Sequence, residues 1–98
     1  MFPPTAPSNL AAVPAEGIIS LIWEASPDPD LAGYVVLRAE AGGATLLPLT
    51  DTPIAETRYV DRRVVPGRRY VYAVVAVDTR LPVPNSSAPS EMVEELAR

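Results

Sequence analysis

The nine residues YVYAVVAVD, Tyr70 to Asp78, read as a β-strand, and the way they read decides the fold. Side chains on a strand point alternately to its two faces, so Tyr70, Tyr72, Val74 and Ala76 share one face. Val71, Ala73, Val75 and Val77 share the other. Both faces are apolar, although a strand in a two-layer protein needs only one apolar face. Register, fixed through Tyr70 and Trp23, predicts the Tyr70 set inward and the Val71 set outward.

Outward from this strand the chain shows no sustained helical periodicity. Short β-like runs recur between turn signals at a spacing of about ten residues. Leu10 to Val13 reads as a first edge strand, flanked by prolines that an edge tolerates. Gly17 opens IISLIWEAS, with Ile19, Leu21 and Trp23 on the inward face and Ile18, Ser20, Ile22 and Glu24 on the other. SPDPDLAG is a turn. YVVLRAE is a third strand with Tyr34 and Val36 inward and Val35 and Leu37 outward. TLLPLT is a short edge strand interrupted by Pro48, and ETRYVD is a strand anchored by Tyr59. VVPGRR is a corner, and TRLPVPNSS is a loop stiffened by proline. SEMVEEL supplies the last strand, though it could also close as a helical turn. The count predicts an all-β, seven-stranded immunoglobulin-like Greek-key sandwich of two antiparallel sheets.

The chain has 98 residues, 48% of them hydrophobic, which fits one small domain with a single core. Residues 1–6 read as an N-terminal linker and 7–98 as the domain. Twelve prolines and five glycines favour turns over helix. The absence of cysteine excludes disulfides and thiolate metal sites. No apolar run reaches the roughly 20 residues of a membrane helix, so this segment is not expected to insert in a membrane. MFPPTAPSNL lacks the basic start and apolar stretch of a secretion signal, which places any export signal upstream. The net charge of −4 argues against a nucleic-acid partner.

Five sequence features, in this order, resemble the fibronectin type III family, in the form common among bacterial members. They are Pro7-x-x-Leu10, Trp23 near the end of the second strand, DLAGYVVLR from Asp30 to Arg38, the corner Val64 to Tyr70, and AVD followed by NSSAPSE. The corner departs from the family's Leu-x-Pro-x-x-x-Tyr pattern in having Val64 for leucine. Together they span nearly the whole chain. The resemblance implies core anchors at Trp23, Tyr34, Tyr59, Val64 and Tyr70. Tyr70 becomes the tyrosine corner, its hydroxyl bonding backbone near Val64, and Tyr70→Phe should leave a backbone acceptor without its partner.

Catalysis is not expected. Without histidine or cysteine, no base is present to activate a serine, and the acids fall in turns and on strand rims. Asp28 and Asp30 in PDPD offer too few oxygens for calcium and read as turn aspartates, so no metal or cofactor is implied. Arg58, Arg62, Arg63, Arg68 and Arg69 crowd one corner. They could meet an acidic polysaccharide or an acidic neighbouring domain, but Glu56, Asp61, Glu91, Glu94 and Glu95 favour a solvated, self-compensated corner.

Two candidate surfaces remain. The first is the outward face of Val71, Ala73, Val75 and Val77 with Val35 and Leu37. It covers only about 200 Å² over two strands, less than the ~300–600 Å² of a large monomer patch. Leu47 or Leu49 could extend it. The second is the loop carrying Arg80, Leu81, Val83 and Asn85, at the pole where this family often binds partners. It has no Arg-Gly-Asp triplet, and Asn85-Ser86-Ser87 reads as a polar turn rather than a glycosylation site.

The resemblance thus implies a non-catalytic spacer or protein-interaction module of a larger, exported bacterial protein, placed outside the cell, in the periplasm or at the cell surface. Its partners are expected to be neighbouring domains of the same chain or another protein, and its state a monomer or weak homodimer. The alternatives are a carbohydrate-binding accessory domain, which lacks stacking aromatics beyond Phe2, and a self-associating unit using the outer valine face.

Overall fold

The computed structural model describes residues 4–27, 31–40, 42–43, 45–50, 52–79 and 84–98. Every regular element among them is a strand. These are β1 Ser8–Ala15, β2 Ile18–Glu24, β3 Leu31–Glu40, β4 Leu47–Pro48, β5 Arg58–Asp61, β6 Arg69–Asp78 and β7 Val93–Leu96. They form a sheet ordered β1-β2-β5 and a sheet ordered β4-β3-β6-β7, and every paired neighbour runs antiparallel. The seven-stranded sandwich is as expected, and SEMVEEL ends as strand rather than helix.

The period-two alternation sets the core. Ile19, Leu21 and Trp23 of β2 face Tyr34 and Val36 of β3 and Tyr70, Tyr72, Val74 and Ala76 of β6, and all are buried. The rings of Trp23 and Tyr34 meet edge to face at 5.7 Å and 69°, the arrangement their quadrupoles favour. Val64 is buried in the same core, while Tyr59 packs against it only half-buried.

Two elements differ from their expected shape. β1 extends beyond Leu10–Val13 at both ends. It carries an irregularity between Ser8 and Ala11, where Asn9 takes a φ of 56°, a left-handed conformation that asparagine tolerates. Pro14 remains inside the strand because β1 lies at the sheet edge. Ahead of β1, Pro4 and Pro7 are buried and the Thr5 carbonyl accepts a hydrogen bond from Ser26 Oγ at 2.7 Å. The β4 edge is intermittent. Pro48 has no N–H to give, and the ladder resumes where Leu49 N–H donates to the Val36 carbonyl at 2.7 Å.

Farther along the same edge, Ile54 and Tyr34 exchange backbone bonds of 2.8 and 2.9 Å. That pairing brings the Ile54 carbonyl so near Gly33 that a β-carbon there would lie 2.5 Å from its oxygen. Gly33, at φ 151°, is therefore required at the β3 bulge.

The corner between β5 and β6 is a turn in which Arg68 N–H donates to the Val65 carbonyl at 3.1 Å, with Gly67 at φ 90°. The Tyr70 hydroxyl closes it. Its bond runs opposite to expectation, for Val65 N–H donates to the Tyr70 oxygen at 2.8 Å. The group at risk is a backbone donor, not an acceptor.

Candidate functional site

The outer face of the four-stranded sheet is less open than its sequence implies. Val35 lies across from Val75, Leu37 from Ala73 and Gly33 from Val77. Ala73 has no exposed surface and Val77 retains only 8%, while Val35, Leu37, Val71 and Val75 are half-buried. The small methyl of Ala73 sits below the height of Leu37 across the strand and of Val71 and Val75 along it. Two of the six expected interface residues thus present almost nothing to a partner.

The exposed large apolar residues of the strands are divided between the sheets, with Leu47 of β4 and Leu96 of β7 on this one and three on the other. Val13, Ile22 and Val60 are 59%, 55% and 36% exposed and share the outer face of β1, β2 and β5. Alternation along IISLIWE already assigns Ile22 to that face. What the sequence could not give is that no described residue forms a third layer over it.

Of the loop residues, Arg80, Leu81 and Val83 lie outside the described residues, as do Asp28, Asp30 and Phe2. Asn85 is half-buried and tied back to β6. Its N–H donates to Asp78 Oδ1 at 2.8 Å and its side-chain amide to Oδ2 at 3.1 Å, while Asp78 N–H returns a bond to its carbonyl. Ser87 and Ser90 then bond the backbone of Ala76 and Val74, so residues 85–90 continue the β7 edge.

All five arginines of the corner are exposed. Arg68 pairs with Glu40 at 3.2 Å and Arg69 with Glu94 at 3.8 Å, both in solvent, where such pairs contribute little. Arg58, Arg62 and Arg63 make no ion pair among the described residues. Self-compensation therefore extends to two of the five.

Asp61 does not join that surface balance. It is buried, and its carboxylate links the two sheets. Arg38 Nη1 donates to Oδ2 at 2.9 Å and to Oδ1 at 3.2 Å, Arg63 N–H donates to Oδ1 at 3.0 Å, and the Tyr72 hydroxyl donates to Oδ2 at 2.7 Å. The Arg38 guanidinium also lies 5.1 Å from the centre of the Tyr70 ring. Burial, and then the neighbouring carboxylate, push the Tyr72 hydroxyl well above its ordinary pKa. Period-two counting places both Arg38, two residues past Val36, and Asp61, two past Tyr59, on the inward faces. Their chemistry alone argued against reading them there.

Beside Arg38 a groove of about 390 Å³ opens between β4 and the segment after β5. Among the described residues no cluster of acids suited to a metal is found, and no helix is long and apolar enough to cross a membrane.

No family model matches the chain. It is 32% identical over 75 residues to an amylopullulanase of Thermoanaerobacterium thermosulfurigenes, a match covering 76% of this chain and 4% of that protein. An amylopullulanase of Thermoanaerobacterium saccharolyticum matches at the same identity and covers 6% of its length. The chain thus spans a small fraction of the curated relatives it matches. Among solved structures, an Fn3-like protein from Clostridium thermocellum superposes with a TM-score of 0.79 at 27% identity, covering 95% of this chain and 92% of that one. A β-1,2-glucanase from Parabacteroides distasonis gives 0.77 at 27%, over 98% of this chain and 14% of that one. Domains of titin give 0.80 at 18% identity, a likeness of fold alone.

Proposed function

The chain has the fibronectin type III fold, and we propose that it serves as a non-catalytic accessory module of a larger, exported bacterial protein, one that acts on carbohydrate. The observation that carries this reading is the size of the matches: the chain corresponds to 4% and 6% of two amylopullulanases and 14% of a glucanase. A small sandwich that recurs as a minor part of large enzymes is suited to spacing or packing against neighbouring domains. The site chemistry agrees. Among the described residues the buried acids are Asp61, engaged by Arg38 and Tyr72, and Asp78, engaged by Asn85, and neither is presented to a substrate. The partners are neighbouring domains, the module alone is monomeric, and the protein works outside the cytoplasm.

The test is excision of residues 1–98 from the full-length polypeptide. Turnover of soluble substrate should persist in the shortened protein while its thermal stability or domain spacing changes. Loss of turnover in a shortened protein that still folds would overturn the reading.

Direct sugar binding is less well supported. Trp23, Tyr34, Tyr70 and Tyr72 are buried, so none offers a ring face for stacking. Self-association through the outer valine face fares no better, since Ala73 and Val77 are covered. Sedimentation at high concentration should give a monomer that Val75→Glu leaves unchanged.

A further inference from the structure

We propose that the groove beside Arg38 binds a carboxylate with an aliphatic side chain beside it, as a peptide C-terminus ending in an apolar residue presents it. The groove holds about 390 Å³, within the ~300–1,000 Å³ range of small-ligand sites. Arg38 and Arg63 line it together with Thr45, over Leu47, Pro48 and Leu49. Arg38 spends only Nη1 on Asp61 and the Arg63 carbonyl, and its Nε and Nη2 have no partner among the described residues. Those two nitrogens form one side of the guanidinium fork, which matches the two oxygens of a carboxylate. Asp61 and the Tyr70 ring hold the fork in place, so little side-chain entropy is lost on binding. The Arg63 side chain is exposed and makes no ion pair among the described residues.

The local charge favours an anion. Glu40, also on the groove wall, is taken up by Arg68, and Asp61 by Arg38, which leaves the charge of Arg63 uncompensated. The walls decide between sources of the carboxylate. Leucine and proline suit an aliphatic side chain better than the hydroxyl-covered ring of an acidic sugar. The site is independent of the accessory role proposed above, and its loss would leave that role standing.

The experiment is an NMR titration of the isotopically labelled chain with N-acetyl-L-leucine. N-acetyl-L-leucinamide serves as the uncharged control and glucuronate as the sugar. N-acetyl-L-leucine should shift the amides of Ala39, Leu47 and Leu49 saturably, and added salt should weaken it. Arg63→Ala, which keeps the backbone bond to Asp61, should weaken binding about tenfold, as expected for one charge-assisted hydrogen bond. Arg62→Ala should not. Equal shifts with the leucinamide, no saturable shift, or equal weakening by Arg62→Ala would overturn the site. Tighter binding of glucuronate would overturn its assignment to peptides.

Discussion

Tyr72 on β6 and Asp61 on β5 belong to opposite sheets, and the 2.7 Å hydrogen bond between them is buried in the sandwich. Around it, Arg38 supplies the positive charge and Arg63 a backbone N–H, so the carboxylate has a partner on each side. Removing the acid strands all three donors. Asp61→Ala should destabilise the domain by about 3 kcal/mol, near the lower end for breaking a buried pair because Arg38 keeps partial access to water. Against a typical total of roughly 5–15 kcal/mol, that is readily seen as a lower midpoint in urea unfolding.

The same bond gives the fold a dependence on alkaline pH. In the unfolded chain a tyrosine loses its proton near pH 10, whereas burial and Asp61 keep Tyr72 protonated in the folded state. Above about pH 10 the folded state therefore binds more protons than the unfolded one, and stability falls as pH rises. The stabilisation is fully present below that point. Tyr72 should contribute a slope approaching about 1.4 kcal/mol per pH unit. Unfolding midpoints of wild type and Tyr72→Phe between pH 8 and 11 should show the shallower decline in the variant.

At the corner, Tyr70→Phe keeps the ring in the core and deletes the acceptor of Val65 N–H. The cost should be about 1–3 kcal/mol, the penalty of an unpaired backbone donor. Hydrogen exchange at Val65 should accelerate more than exchange in β2. Unchanged stability would remove the corner from the account.

Gly33→Ala should also destabilise, by about 1–3 kcal/mol, because the new methyl must push away the Ile54 carbonyl. Gly17→Ala has no such neighbour and meets only its own backbone strain at φ 78°. Thermal unfolding of the two variants should separate contact from conformation, with the amide of Tyr34 losing protection only in the first.

Much of the fold was legible because its determinants are local. Alternation in YVYAVVAVD and IISLIWE fixes which side chains face inward, and Pro66-Gly67 marks the corner. The tyrosine corner was legible in position but not in polarity, since the sequence does not say whether an N–H or a carbonyl turns toward the hydroxyl. The candidate surfaces fared less well, for physical reasons. The exposure of Ala73 depends on the height of Leu37, a neighbour brought alongside by pairing between strands distant in sequence. Arg38 and Asp61 meet across 23 residues of chain and two sheets. Asp61 reads from sequence as one of the solvated corner charges, and only its meeting with Arg38 makes an inward place tolerable.

The fastening of the last residues bears on how the module would respond to tension. Gly17 N–H donates to the Arg98 carbonyl at 2.8 Å, and Gly67 N–H to the Ala97 carbonyl at 3.0 Å. At the other end Ser26 Oγ holds the Thr5 carbonyl. The chain therefore enters the sandwich beside Ser26 and leaves it beside Gly17, the two ends of β2. A pull applied between Thr5 and Arg98 would run along the strands, so the cross-strand bonds of β1 and β7 would resist sliding together instead of opening one after another like a zip.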